Sequence, residues 1–245
     1  MLYRSHRGGV YYTPENTIPA FIEAINGGFA AIETDPYLTK DGVIILFHDT
    51  VLHRVLRNPD GSPLAEGLHL KDYTYEELLQ YDAGIAKGQA FRGTKIATLE
   101  ELFALAKGKD ARICLDKYVK RHDGEELDAL FALVRKYDAK VSYLVETMEQ
   151  VEKVQSRDPD AHIDWDGLSD DETLTRLCEK VAPDRLIVWL YMDKPNFAWL
   201  KEPQRKTSAE NCARVKRYAR LGIANVCNPY DVKEALDFEP YIIEV

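Results

Sequence analysis

Thr17-Ile18-Pro19-Ala20-Phe21-Ile22-Glu23-Ala24-Ile25-Asn26-Gly27-Gly28, followed by Phe29-Ala30-Ala31-Ile32-Glu33-Thr34-Asp35, is a helix running into a strand. Thr17 suits an N-cap, Ile18, Phe21, Ile22 and Ile25 share one helical face, and the glycine pair stops the pattern. The same alternation continues in both directions. Strands are expected near 2–6, 30–35, 43–48, 111–116, 141–146, 161–165, 185–191 and 223–227. Amphipathic stretches lie between most of them, which predicts βα units and a parallel sheet. The fold class is α/β, a (β/α)8 TIM barrel, with residues 1–245 as a single barrel domain.

Further helix signals support the pattern. Thr98 with Glu101 reads as a capping box, Asp123 and Ser208 as caps, and Gly222 as the glycine just past a helix end. Between the third and fourth strands lies segment 49–95, too long for a simple connection and rich in aromatics. It is expected to be an insertion or lid after strand 3. Strands 2 and 3 are joined by a tight Lys40-Asp41-Gly42 turn where a helix would be regular.

The composition narrows the partners. The formal net charge is −9 and the basic residues are scattered, so nucleic acid is not expected. An anionic ligand would need local positive charge. No apolar run approaches the roughly 20 residues of a membrane span, and no leader-like pattern precedes Ser5. Cys114, Cys178, Cys212 and Cys227 form no CxxC pair and are expected to be reduced and mostly buried, in a cytoplasmic protein. A small molecule is the expected partner.

In a barrel of this kind the chemistry sits at the C-terminal strand ends. Those ends carry His6-Arg7, Glu33 with Asp35, His48-Asp49, Asp116-Lys117, Glu146, Asp166, Tyr191 with Asp193, and Asn228. Glu33 and Asp35 are two apart in a strand, so both carboxylates point to one side and converge. Hard oxygen donors of this sort suit a divalent cation such as Mg²⁺ or Ca²⁺, with Asp116 able to supply a third ligand. His6 and His48 end strands 1 and 3 and could exchange protons near neutral pH. His53, His69, His122 and His162 are assigned no role.

Ser5-His6-Arg7-Gly8-Gly9, Pro14-Glu15-Asn16-Thr17, Ile32-Glu33-Thr34-Asp35, Thr39-Lys40-Asp41-Gly42 and Phe47-His48-Asp49 stand in order in the first part of the chain. Together they resemble the signature series of the glycerophosphodiester phosphodiesterases. The likeness continues more loosely through Tyr73–Leu78, Ile96–Glu101 and Val188-Trp189. It implies metal-dependent hydrolysis of a glycerophosphodiester to glycerol 3-phosphate and an alcohol. His6 and His48 would be the acid/base pair; the resemblance leaves their order open, and the insertion next to His48, expected to shape the leaving-group side, favours His48 as the acid. Glu33, Asp35 and Asp116 would be metal ligands. Arg7 would contact phosphate, Lys117 would bind substrate, and Phe47 or Trp189 would wall the glycerol end. Glu15 would orient the site, while Asn16 and Thr17 set the loop and the helix cap.

The chain departs from the family pattern in places. Asp116-Lys117 stands where Glu and, two residues on, Lys are usual; Ala97 replaces a Pro, and Asn228 replaces a Thr-Asp. Two rival functions stand beside this one: a related barrel phosphodiesterase acting on lysophospholipids or sugar phosphodiesters, for which Tyr73, Tyr75, Tyr81 and Phe91 of the insertion could line a groove, and a non-catalytic ligand-binding barrel, suggested by these departures.

Overall fold

A computed structural model describes residues 1–194 and 200–245. Its elements begin with β1 (Leu2–Ser5), α1 (Ile18–Asn26) and β2 (Ala31–Thr34). Next come two short strands, β3 (Pro36–Leu38) and β4 (Ile44–Leu46), then α2 (Tyr75–Leu78), α3 (Leu99–Ala106) and β5 (Arg112–Leu115). The chain continues through α4 (Tyr118–Arg121), α5 (Gly124–Tyr137), β6 (Val141–Val145), α6 (Met148–Gln155), β7 (His162–Trp165) and α7 (Asp171–Lys180). It ends with β8 (Leu186–Tyr191), α8 (Ala209–Lys216), β9 (Arg220–Ala224), α9 (Pro229–Leu236) and β10 (Ile242–Glu244).

Among the described residues the barrel closes in the order β1-β10-β9-β8-β7-β6-β5-β2, with parallel pairing along the sheet. The predicted third strand is not in it. β4 pairs antiparallel with β3, Tyr37 opposite Ile45, as a separate two-stranded sheet. The reason is the Lys40-Asp41-Gly42 turn, where Gly42 takes a left-handed φ of 84°. So short a connection can only fold a strand back antiparallel; a parallel neighbour needs a crossover of a dozen residues or more. The eighth barrel strand is instead β10, three residues near the C-terminus.

By contacts the chain divides into a unit of Ser5–Lys140 and a unit of Met1–Arg4 with Val141–Val245. In the first, α1 buries Ala20, Phe21 and Ala24. The capping box of Thr98 and Glu101 forms as expected and starts α3, which buries Leu99, Leu102 and Phe103. Thr17 does occupy the N-cap position of α1, but its hydroxyl donates to the Pro14 carbonyl at 2.6 Å and caps no amide. Asp123 likewise precedes α5 without a side-chain capping bond.

Segment 49–95 has a core of its own. Leu52, Leu56, Leu64, Leu70, Leu78 and Ala83 pack with Ile45, Phe47 and Ile96. It also holds a buried polar node at Asp82, 3% exposed, whose carboxylate accepts the amides of Gly84 at 2.8 Å, Ile85 at 2.9 Å and Gly93 at 2.7 Å.

In the second unit Arg4 is buried, paired with Glu244 at 2.7 Å, and lies 3.4 Å from the centroid of the Trp189 ring. Gly222 sits inside β9 and not past a helix end, because a Cβ there would come within 2.6 Å of that indole. Ser208 caps α8, accepting the Asn211 amide. All four cysteines are free; Cys114 and Cys212 are buried, Cys178 partly so, and Cys227 is exposed. Among the described residues no helix is long and apolar enough to cross a membrane.

Removing the Asp82 carboxylate would leave three amides without their acceptor. Asp82→Ala is expected to cost about 2–4 kcal/mol in urea denaturation, with amide exchange at Gly84, Ile85 and Gly93 accelerating most. Burial works to raise the Asp82 carboxyl, yet the three amides and Lys95 hold it below the ordinary range. Its contribution is therefore complete above the ordinary carboxylate pKa and fades as pH falls through the depressed native value. The gap in stability between wild type and Asp82→Ala should shrink in acid.

Candidate active site

Glu33 and Asp35 stand at the end of β2, 3% and 0% exposed. The parallel register sets Thr34 opposite Leu115, and the Asp116 amide donates to the Thr34 carbonyl at 3.0 Å, so β5 delivers Asp116 beside them. One carboxylate oxygen from each of the three lies within 4.8 Å of the others. Lys117 leaves the strand in a left-handed turn, φ 65°, which swings its ammonium back to 3.0 Å from Asp35 and 3.6 Å from Asp116. An all-oxygen donor set of this kind fits a hard divalent cation, whose remaining ligands would be water or substrate.

Asp35 is held from several sides. Asn16, itself left-handed at φ 56°, donates its amide to Asp35 at 2.9 Å. Its carbonyl oxygen accepts the Thr34 hydroxyl at 2.7 Å. Burial alone would raise the Asp35 carboxyl; the positive field of Lys117, His48 and Arg7, with the Asn16 bond, brings it below the ordinary range. Arg7 is left-handed too, at φ 51°, and its backbone N–H donates to Glu33 at 2.8 Å. Gly8 follows at φ 82°, where a Cβ would come within 2.8 Å of the Phe21 ring, so the turn needs glycine.

His6 presents Nε2 3.9 Å from a Glu33 oxygen, with its side chain 37% exposed. His48 follows β4, and its Nδ1 lies 2.6 Å from Asp49 Oδ1. Desolvation lowers the His48 pKa, with the positive field of Arg7 and Lys117 adding to it against Asp35 and Asp49. Arg54 grips Asp49 through Nε and Nη2, and donates to Glu15 at 2.6 and 2.8 Å. Glu15 also accepts from Arg7 at 3.0 Å.

His6, Arg7, Glu33, Asp35, His48, Asp116 and Lys117 thus all belong to the Ser5–Lys140 unit. Trp189 is elsewhere. It is 1% exposed, donates its indole N–H to Asp164 at 2.7 Å and lies against Arg4, a core position and not an open wall. Phe47 is buried in the core of segment 49–95. The polar strand ends of the second unit bond with one another. Asp166 accepts from Tyr191 at 2.5 Å and Arg205 at 2.7 Å, Asp193 meets Lys206 at 2.9 Å, and Asn228 caps α9. Burial raises the Asp166 carboxyl against the pull of Arg205 and Tyr191. The direct bond from Asn16 to Asp35 is not readable from the sequence, Asp49 stands there only as a strand-end group beside His48, and Arg54 is not singled out at all.

The family model for the glycerophosphoryl diester phosphodiesterase family matches residues 6–234. The chain belongs to that family. A glycerophosphodiester phosphodiesterase of Caldanaerobacter subterraneus is 42% identical over 106 residues, 43% of this chain and 40% of the relative. Glycerophosphodiester phosphodiesterase 1 of Bos taurus is 34% identical over 128 residues, 51% of this chain and 36% of the relative. The chain thus spans about half or less of the length of the curated relatives it matches. Among solved structures, an Oleispira antarctica phosphodiesterase in complex with the product sn-glycerol-3-phosphate superposes with a TM-score of 0.77 at 20% identity, over 100% of this chain and 92% of that one. A glycerophosphoryl diester phosphodiesterase of Parabacteroides distasonis gives 0.73 at 23% identity, over 99% and 81%. These likenesses carry the fold.

The acidic cluster makes a binding prediction that needs no substrate. After exhaustive chelation the protein is expected to take up Mg²⁺ or Ca²⁺ in calorimetric titration. Asp116→Ala should weaken that affinity by more than the roughly 10–100-fold typical of a lost outer partner, while Asp116→Glu should retain most of it. Unchanged affinity in Asp116→Ala would redraw the ligand set.

Proposed function

We propose that this protein hydrolyses glycerophosphodiesters to glycerol 3-phosphate and an alcohol, using a divalent cation held by Glu33, Asp35 and Asp116. The observation that carries the reading is the gathering of those three carboxylates, two histidines, Arg7 and Lys117 in one unit. Family membership supports the reaction class, as do the named activities of the relatives and the product bound to the Oleispira antarctica enzyme.

A bound cation would supply Lewis-acid stabilisation of charge on the phosphate. The protein's own groups do the rest. Arg7 Nε is buried with no hydrogen-bond partner among the described residues, 3.7 Å from Asp35, and a non-bridging phosphate oxygen would give it an acceptor. Lys117 adds a second positive donor on the same side of Asp35. A low pKa keeps His48 neutral around pH 7, which suits it to take a proton from the nucleophile. His6, the more exposed of the pair, would then protonate the departing alkoxide. This assignment reverses the order of roles read from the sequence.

Activity on glycerophosphocholine, lysophosphatidylcholine and a sugar phosphodiester, each with Mg²⁺, Ca²⁺ or Mn²⁺, tests the class. Hydrolysis of the first, abolished by chelation, is expected; inactivity on all three would overturn it. Either histidine changed to Ala should lower turnover of an alkyl diester by roughly 10²–10⁴-fold. A nitrophenolate leaves without protonation, so His6→Ala should recover on a nitrophenyl ester and His48→Ala should not. The acid limb of kcat/KM should lie below the ordinary histidine value, because a base of lowered pKa loses activity only when pH falls past it. Recovery of His48→Ala instead would exchange the two roles.

A further inference from the structure

Arg54 holds two carboxylates that come from distant parts of the chain. Its guanidinium donates to both oxygens of Asp49, five residues before it, and to both oxygens of Glu15, thirty-nine residues before it. Each carboxylate has a second duty at the site. Asp49 Oδ1 meets His48 Nδ1 at 2.6 Å, and Glu15 Oε1 accepts from Arg7 at 3.0 Å. Arg54 is therefore the middle of an unbroken series, Arg7–Glu15–Arg54–Asp49–His48. The chain around it is anchored independently: Leu52 and Leu56 are fully buried, and the Leu56 amide bonds the Leu52 carbonyl at 3.0 Å.

We infer that Arg54 is a positioning residue that fixes the orientation and tautomer of His48 through Asp49, leaving Nε2 of that imidazole to face the substrate. A planar guanidinium can engage two carboxylates at once, which a point charge cannot. With its oxygens occupied by Arg54, Asp49 cannot rotate away, and as an ionised acceptor it requires the proton of His48 on Nδ1. That leaves the Nε2 lone pair for proton transfer. The held state of Asp49, lowered to about 2 mainly by the Arg54 and His48 bonds after burial has worked to raise it, agrees with this. A stabilising role alone is a poor account of the arrangement. The Arg54 side chain is 44% exposed, where ion pairs contribute little to folding.

The inference rests on the proposed hydrolysis for its kinetic arm and on spectroscopy for an arm independent of it. In nitrogen-15 spectra of histidine-labelled protein, at a pH where His48 is neutral, Nδ1 should be protonated and Nε2 unprotonated. Asp49→Asn, which can offer an N–H to Nδ1, should reverse that pattern, and Arg54→Met should blur it toward mixed tautomers. In kinetics on an alkyl glycerophosphodiester, Arg54→Met and Asp49→Asn should each lower kcat by about 10–100-fold, the scale of a misplaced catalytic group. The double variant should lose little more than the worse single one, because both act on the same imidazole. Should Arg54→Met not fold, Arg54→Lys serves, since an ammonium cannot hold all four oxygens. An unchanged His48 tautomer pattern with kcat within about threefold of wild type, or strictly additive losses, would overturn the assignment. If the wild-type protein hydrolyses no diester, the proposed function fails while the spectra still decide the role of Arg54.

Discussion

The Asp35 carboxylate is wholly buried, has Glu33 and Asp116 within a few ångströms, and is still held ionised. Burying a charge is costly unless it is paired and hydrogen-bonded, so the surrounding chain must deliver donors to it from several directions. It does so through unusual backbone. Arg7, Asn16 and Lys117 are three of the six non-glycine residues with left-handed φ among those described. Each bonds Glu33 or Asp35. A left-handed residue with a side chain costs about 1–2 kcal/mol, and such strain persists where the surroundings over-determine it. Here the over-determination is visible. Asn16 is tied to Asp35 and Thr34 by its side chain and to the Arg7 carbonyl by its amide.

The same concentration of charge acts on His48. The cations gathered for Asp35 also act on His48, whose pKa they help to lower. Asp49 gives His48 an anionic partner, and Arg54 prevents that partner from becoming one more unpaired acid. His48 and Arg7 are thereby joined by ion pairs in addition to the backbone. By contrast, the polar strand ends of the second unit, Asp166 with Tyr191 and Arg205 above all, satisfy one another locally.

Much of this was readable in advance, and the reasons are specific. The period of two in a strand is enough to bring Glu33 and Asp35 to one side, and the pairing of Thr98 with Glu101 is enough to start α3. What could not be read from the sequence depended on single dihedral angles or on which side of a strand faces inward. Lys117 would point away from Asp116 in a regular strand; one left-handed residue turns it back. Trp189 lies in an apolar run in which either face could be the buried one, and only the contact with Gly222 and Arg4 decides it. The run 241–245 reads as strand-like in the sequence, but with eight runs already counted nothing there gave β10 a place in the barrel. Arg54 sits in a segment whose own core was invisible in the sequence, so nothing there marked it as a partner of Glu15.

The misplaced third strand explains more than an error of topology. Had 43–48 been a parallel barrel strand, a long crossover would separate His48 from Asp35 in the chain. Instead the Gly42 turn returns the chain at once. The Phe47 amide then bonds the carbonyl of Asp35 itself at 2.8 Å, one residue before His48. The hairpin therefore places an imidazole within electrostatic reach of the carboxylate at a fixed backbone offset. It also delivers Asp49 immediately after that imidazole, and Arg54 one turn later between the buried Leu52 and Leu56. A short antiparallel excursion at the end of β2 is thus the means by which one local segment supplies His48, its acidic partner Asp49 and the Arg54 guanidinium that holds that partner.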